Sequence, residues 1–331
     1  MTDLLTRVRA ADPAPAAAPL DAAARTVLAS ILATPPAVAA RRVPRGLLRA
    51  GLAGAAVAAA VAAYVVVPAD TRGAYAATPP MLAYERVEVP ARAVLLALAE
   101  RAAAQPPKAH GRYDYVHTTG WGLATSTLLS DGEDPAPPVT TSHWEESVQR
   151  FWMADDGSGR IVNEHTVTEG WAIEGTPEHP DDDTAYGPGE LGGREPVPTD
   201  DRDALRARLH AEPDWDAGDW VNAVSEVWGQ KVVEPAEQAA LLRALADVDG
   251  VVFRGRVTDR AGREGVVVSG DTDRGGFRMR HVLVLDPATG ALLDGEGIAL
   301  ERGDLPIKAP ATIGYQVFVE SRRVPTTEVP R

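Results

Sequence analysis

Two kinds of hydrophobic pattern follow each other along the chain. Residues 50–69 form a run without a charged side chain, whereas later segments mix hydrophobic and polar positions at regular spacing. Residues 91–104 repeat hydrophobic side chains at helical spacing, which predicts an amphipathic helix. The next runs alternate with a period of two and predict strands at residues 112–118, 123–129, 143–153 and 160–168.

Helices and a second group of strands are predicted for the other half of the chain. The helices are expected at residues 200–210, 214–230 and 235–248. Thr199 is the predicted N-cap of the first helix, and Pro235 stands at the first position of the third. Strands are then predicted at residues 251–258, 264–269, 277–285, 291–300 and 312–324.

The connections between these elements indicate the fold class. Residues 259–262 and 286–290 are turn sequences between neighbouring strands, so antiparallel hairpins are expected. Residues 131–139 and 175–198 are rich in Pro, Gly and Asp and are predicted loops. The order of helix, strands, helices and strands indicates an α+β fold with an antiparallel sheet.

The uncharged run suggests a transmembrane helix. Twenty helical residues extend about 30 Å, which is the thickness of the hydrocarbon core of a bilayer. Four arginines precede the run (Arg41, Arg42, Arg45 and Arg49), so the N-terminus is predicted to be cytoplasmic. The chain then divides into a cytoplasmic tail (1–49), a transmembrane helix (50–69), a spacer (70–90) and an extracytoplasmic domain (91–331).

Two alternatives to a membrane anchor stay open. One is a buried alanine-rich helix of a soluble protein. The other is a signal peptide cleaved after Ala76, because residues 74–76 have the small-x-small pattern of a cleavage site. The length of the apolar run and the 49 residues before it favour an uncleaved anchor.

Charge and cysteine content exclude several functions. The chain contains no cysteine, which removes disulfides, thiolate metal ligands and cysteine nucleophiles. Its net charge is −14, although residues 1–49 hold seven arginines and three aspartates. The outer domain should therefore repel nucleic acid, and no nucleic-acid partner is expected. The tail is too short to bury a core, so it either stays mobile or docks its apolar stripe (residues 20–32) on another protein.

The sequence carries no pattern that predicts catalysis or a cofactor. Residues 187–192 match G-x-G-x-x-G, but an acidic stretch precedes them instead of a buried strand, so a flexible loop is expected. The serine-hydrolase, metalloprotease and P-loop motifs are missing from the sequence. We therefore expect a protein that is not an enzyme and has no catalytic residues and no cofactor.

Two groups of side chains contain metal-binding residue types, but the spacing of neither group predicts a metal site. Glu178, His179 and residues 181–183 supply oxygen donors without the spacing of a calcium loop. The pairs His143/Glu145 and Glu164/His165 lie on predicted strands, where at most three of the four side chains can converge.

Tryptophans are the more informative feature. The chain has seven, and most are expected in the core. Trp220 and Trp228 are eight residues apart, close to one face of a helix that would cover the sheet, and Trp152 lies on a predicted strand. If the sheet is strongly curved, these three residues are candidates for lining an apolar cavity.

Several segments resemble a known family. They are residues 9–14 in the tail, the arginine-flanked anchor, the helix at 91–104, the helix leading into Gly250–Val251, and the turns at 259–265 and 285–290. The chain is similar in these to an actinobacterial family of uncharacterised single-pass membrane proteins grouped with sigma-factor regulators. The resemblance implies no reaction. It implies an outer domain like the half-barrel of lipoprotein carriers, a curved antiparallel sheet covered by helices.

Two functions follow as hypotheses. The first is an envelope sensor or sigma-factor-linked regulator, whose outer domain binds an apolar ligand or an envelope protein while the tail acts on a cytoplasmic regulatory protein. The second is a carrier of lipid or lipoprotein, tethered to the bilayer through residues 50–69. The second rests on analogy of fold alone.

The predicted topology can be tested with a reporter fusion. A reporter that is active only outside the cytoplasm, fused after Arg331, should be active because the arginines hold the tail inside. The mature protein should also keep its tail. Cytoplasmic activity of the fusion would contradict the anchor, and a mature N-terminus at Ala77 would favour a signal peptide.

Overall fold

The computed structural model describes residues 22–32, 78–128, 139–172, 181–274, 276–303, 305 and 307–329. Helices lie at Ala22–Leu32 (α1), Ala91–Ala103 (α2), Arg202–Arg208 (α3), Ala217–Gln230 (α4) and Pro235–Ala246 (α5). Strands lie at Tyr113–Leu128 (β1), Val139–Ala154 (β2), Gly159–Ala172 (β3), Asp182–Tyr186 (β4), Val252–Thr258 (β5), Glu264–Thr272 (β6), Met279–Leu285 (β7), Leu292–Ala299 (β8) and Ala311–Val324 (β9).

The nine strands form one antiparallel sheet in the order β4-β3-β2-β1-β9-β8-β7-β6-β5. Each half of this order is a run of hairpins, and β9 joins the two halves by pairing with both β1 and β8. The sheet is curved and does not close on itself. The predicted α+β class with a curved antiparallel sheet and covering helices is therefore confirmed for the described residues.

The main core lies between the helices and one face of the sheet. Helix α2 turns Val94, Leu95 and Leu98 inward, and these pack with the buried face of α5. Helix α4 buries Val221 and Val224 against the same layer. Side chains of β5, β6, β7 and β9 supply the sheet side of this core, so we call this the helix-facing side of the sheet.

The opposite face is covered by irregular segments. Leu82 and Tyr84 pack on valines of β6 and β7, and Ile307 packs beside Trp121 and Trp144. The turn between β5 and β6 folds over this face, where Arg263 donates to the backbone oxygens of Leu293 and Phe318 at 2.7 Å each. Three of the residues predicted as spacer therefore help to cover the domain: Leu82, Tyr84 and Val89.

Three local predictions were wrong. β1 is one continuous strand, whereas two separate strands were predicted at residues 112–118 and 123–129. β4 lies inside the predicted loop 175–198; its sequence is short and polar, and it is fixed by pairing with β3. The N-cap of α3 is Asp201 instead of Thr199, because the Asp201 carboxylate accepts from the backbone N–H of Ala204 at 2.9 Å.

The predicted anchor, residues 50–69, lies outside the described residues. Within the described ranges, no helix combines the length and the apolar character needed to cross a membrane. Helix α1 belongs to the predicted tail, yet Leu28 packs against the main core and Arg256 donates to the Ser30 hydroxyl at 3.2 Å. A membrane span between α1 and the domain would break both contacts.

Helix α4 approaches the sheet unusually closely at its first turn. A Cβ atom on Gly270 of β6 would stand 2.3 Å from the backbone of Ala217, and one on Gly218 would stand 2.7 Å from Thr272. The helix start is fixed there by Asp216, whose carboxylate accepts from two backbone N–H groups of the first turn. These two glycines therefore set the position of α4 above the sheet.

Replacing Gly270 with alanine should test this close approach. Because the added methyl would overlap backbone atoms, we expect Gly270→Ala to lower the free energy of unfolding by about 1–3 kcal/mol, measured by urea denaturation. Gly122→Ala is the matched control, since a Cβ there meets nothing closer than 3.7 Å. Equal stability of the two variants would show that α4 is positioned by other contacts.

Candidate ligand groove beneath helix α4

Helix α4 crosses the helix-facing side of the sheet and leaves space on both flanks. A cavity of about 350 Å³ lies between α4 and β2, lined by Phe151, Met153 and Val227 among others. A cavity of about 340 Å³ lies between α4 and strands β7, β8 and β9. Glu226 of α4 contributes to both. The second cavity continues as a smaller one of about 180 Å³ over β1 and β2, and the two share Gln316.

Glycines form the floor of the second and third cavities. Gly314 of β9 is paired with Gly122 of β1 on one side and with Gly297 of β8 on the other. In the neighbouring row, Gln316 is paired with Gly120 and with Gly295. Paired residues of adjacent strands point to the same face of a sheet, so five glycines and one glutamine side chain share this area. We call this area the glycine floor.

Space above the glycine floor is open at its centre. A Cβ on Gly314 would meet only the Trp121 carbonyl oxygen at 3.6 Å and Gly122 Cα at 3.8 Å. Gly297 is similar, with its nearest neighbour, Met279 Cε, at 3.4 Å. A close neighbour requires glycine only in the other row, where a Cβ on Gly120 or Gly295 would stand 2.8 Å from the Tyr315 carbonyl oxygen or 2.9 Å from Ser225 Oγ. Together with Gly122, Gly314 and Gly297 expose the backbone of three strands to a bound molecule.

The wall beside α4 combines hydrogen-bonding and apolar groups. Asn222 and Ser225 face the cavity from the helix, and His281 and Leu283 face it from β7. Burial lowers the pKa of His281, and the carboxylates of Asp219 and Asp216 oppose this effect only in part. The imidazole is therefore neutral at physiological pH and can both donate and accept a hydrogen bond.

The second and third cavities together form the groove, which ends over β2 at Glu145, the central residue of a cluster of histidine and carboxylate side chains. Glu145 lies between His143, whose Nε2 is 3.1 Å from Glu145 Oε2, and His165, whose Nδ1 is 3.2 Å from Glu145 Oε1. Three of the four side chains of the pairs His143/Glu145 and Glu164/His165 thus come together, while Glu164 pairs with Arg150 at 2.6 Å.

This cluster does not have the geometry of a metal site. Both imidazoles lie within hydrogen-bonding distance of the Glu145 carboxylate. Among the residues that the structure describes, no three His, Cys, Asp or Glu side chains are placed to hold a metal ion. The cluster therefore supplies the groove with a polar, hydrogen-bonded end.

Two buried carboxyl groups lie directly under the glycine floor. β8 alternates Gly295 and Gly297 on the helix-facing side with Asp294 and Glu296 on the other, where both are buried. Glu296 accepts from Arg260 Nε at 2.6 Å. Asp294 has no hydrogen-bonded partner among the described side chains, and burial, followed by the charge of Glu296, raises its pKa to about 8.

The three candidate tryptophans are all buried. Trp152 lies on the opposite face and packs against Tyr115 with ring centroids 4.9 Å apart and the ring planes tilted by 33°. Trp220 and Trp228 lie in the main core, and Trp220 meets Trp215 edge-on at 5.6 Å. The cavities flanking α4 are lined by other residues, so these indoles do not meet in one pocket.

In the described part of the acidic and glycine-rich loop, the acidic side chains bind other residues of the domain. Asp183 of β4 binds Arg160 through two hydrogen bonds of 2.7 Å, and Asp181 accepts from the backbone N–H of His165. Gly189 and Gly192 adopt positive φ angles in turns, and no helix begins at this loop. Glu178 and His179 lie outside the described residues.

Comparison with known proteins gives no assignment. No protein-family model matches the sequence, and no curated protein matches it at a significant level. The resemblance to the actinobacterial membrane family therefore stays a prediction.

Sequence reasoning did not find the groove. The signal was present as glycines two apart within predicted strands, at 120/122 and at 295/297, since an interior strand glycine often marks a close backbone approach. Without the pairing of β9 with both β1 and β8, nothing showed that these pairs lie side by side.

Asp294 should make stability depend on pH. The pKa of Asp294 is raised from 3.8 to about 8 in the folded protein. The contribution of this carboxyl group to the free energy of unfolding is therefore complete below pH 4 and is lost as the pH rises to about 8. Asp294→Asn cannot ionise. We expect the variant to gain stability relative to the parent between pH 5 and pH 8, by up to about 1.4 kcal/mol per pH unit.

Denaturant unfolding at several pH values measures this effect. Asp183→Asn serves as the control, because Asp183 is paired with Arg160 and its pKa is lowered. Parallel stability curves for the parent and Asp294→Asn would contradict a buried carboxyl group that stays protonated.

Proposed function

We propose that this protein is a non-catalytic binding protein of the cell envelope, whose groove holds an extended peptide segment of a partner protein. The observation that carries the proposal is the row Gly297–Gly314–Gly122 of the glycine floor, which has no side chain across three neighbouring strands. It favours a ligand that lies flat against the backbone over one that fills a deep pocket.

The dimensions of the groove suit a short extended peptide. From His281 on β7 to Glu145 on β2, the groove crosses five neighbouring strands. At about 4.8 Å between strands this distance is roughly 19 Å, which an extended peptide covers with about six residues.

The chemistry of the walls favours a peptide over an acyl chain. Asn222, Ser225 and Gln316 offer amide and hydroxyl groups along the cavity, and Gln149 and Asn163 continue the polar row on β2 and β3. An acyl chain would leave such groups without partners, at about 1–3 kcal/mol for each one that is buried. A peptide backbone supplies donors and acceptors at every residue. Regulation by a protein partner is therefore favoured over lipid carriage.

Attachment to the membrane through residues 50–69 is part of the same proposal. Insertion gains about 2–3.5 kcal/mol from the leucine and five valines of this run. It would give up the hydrogen bond between Arg256 and Ser30, worth about 0.5–1.5 kcal/mol, and the partial burial of Leu28. The tail would then be free to act on a cytoplasmic regulatory protein.

Filling the groove without unfolding the domain tests the proposal. Peptides are selected from a random display library on the purified full-length protein, and their binding is compared with that of Gly314→Val. Because a Cβ at residue 314 has room and valine suits a strand, we expect unchanged thermal stability and at least about a tenfold loss of peptide affinity.

Val319→Thr is the control, since Val319 lies on the same strand and is 48% exposed. Selected peptides that bind Gly314→Val as well as the parent would overturn the groove as the binding site. A fluorescent fatty acid is tested in parallel. If it binds the parent, fails to bind Gly314→Val, and no peptide is selected, the carrier alternative replaces the proposal.

A further inference from the structure

A second pocket lies at a corner of the sheet, away from the groove. It measures about 400 Å³ and forms where the segment preceding α2 passes the beginning of β5. Its lining residues include three arginines from three separate parts of the chain, Arg86, Arg254 and Arg280, and a single carboxylate, Glu88. The Tyr84 ring forms part of the wall.

Only one of the three arginines is neutralised by a carboxylate. Arg280 binds Asp271 through two hydrogen bonds of 2.6 and 3.0 Å. Arg254 donates its Nε–H to the Ser269 hydroxyl at 2.8 Å, which leaves its two terminal nitrogens available. In the described part of the chain, neither Arg254 nor Arg86 forms an ion pair.

The local structure forces Arg254 into this position. The register of β5 against β6 shifts between Phe253 and Gly255, so Arg254 is the extra residue of a β-bulge. Gly255 has a φ of 115°, and a Cβ there would collide with the Glu85 carbonyl oxygen at 1.9 Å. The bulge thus turns the guanidinium toward β6 and β7 instead of into solvent.

The electrostatics of the pocket are unfavourable without an anion. Burial lowers the pKa of Arg254, and the positive charges of Arg280 and Arg86 add to this effect, while the carboxylate of Asp271 opposes it only in part. The chain has a net charge of −14, yet Glu88 is the one acidic residue in the lining of this pocket. The Tyr84 hydroxyl is also buried without a hydrogen-bonded partner among the described residues, which is uncommon in native proteins.

We propose that this corner pocket binds a phosphate group, either free or on a larger molecule. Arginines approaching from three directions match the several oxygens of a tetrahedral oxyanion, whereas one carboxylate is satisfied by one bidentate arginine, as Asp271 is by Arg280. The site does not depend on the groove, because its charged residues face the opposite side of the sheet.

Calorimetric titration of the full-length protein with inorganic phosphate tests this inference, with sodium chloride keeping the ionic strength constant. Arg254→Gln should weaken phosphate binding by at least about tenfold, because it removes charge-assisted hydrogen bonds. Arg278→Gln is the matched control. It removes the same charge beside Asp271, 3.5 Å away, but does not line the pocket, and we expect less than about a twofold change.

Arg86→Gln provides a second variant in case Arg254→Gln does not fold. Arg86 is exposed and its side chain makes no described hydrogen bond, so its loss should weaken phosphate binding by several-fold and leave the unfolding midpoint unchanged. Absence of phosphate binding by the parent would overturn the proposal. Equal losses in Arg254→Gln and Arg278→Gln would also overturn it, since they would show general attraction to positive charge.

A short-chain phosphatidic acid, dihexanoyl phosphatidic acid, distinguishes the two sources of the phosphate group. Tighter binding of this lipid than of inorganic phosphate, lost in Arg254→Gln, would assign the pocket to a lipid headgroup. Equal affinities would assign it to the phosphate group alone.

Discussion

The buried carboxylate of Asp114 holds the helical layer to the sheet. It accepts from Arg194 at 2.8 Å and from Arg323 of β9 at 3.1 Å, and its second oxygen accepts from the backbone N–H of Val232, between α4 and α5. One side chain of β1 therefore connects the neighbouring strand, a loop and both long helices. Removing one partner of such a buried network costs about 3–5 kcal/mol.

The position of the groove follows from this connection. Asp114 fixes the C-terminal end of α4, while the contact of Gly218 with β6 fixes its beginning. Held at both ends, the helix crosses the sheet with Ser225 against Gly295 and leaves open space above Gly314 and Gly122. Lys231 donates a hydrogen bond of 2.6 Å to Glu237 and thereby stabilises the connection between α4 and α5. The cavities thus result from where the helix is held and do not require missing core residues.

Elements with strong local signals could be predicted from the sequence. Pro235 at the start of α5 and the turns at 259–262 and 286–290 define their boundaries, and the structure places them as predicted. β4 could not be found in this way, because its five residues are mostly polar and its pairing partner β3 determines its conformation. The groove and the corner pocket were missed for a related reason. Each combines residues that are more than 100 positions apart, and one sequence does not show which strands pair.

Strand order also sets the order in which the chain can acquire its structure. β1 to β4 form one meander and β5 to β8 another, each from neighbouring segments. The two meanders become one sheet only when β9, the last of the described strands, pairs with both β1 and β8. Pairs such as Tyr113 with Val324 join residues more than 200 positions apart, and contacts of this kind slow folding. During synthesis, the edges of β1 and β8 would stay unpaired until residue 324 emerges. Loss of the final strand would leave two half-sheets with open edges, which are templates for aggregation.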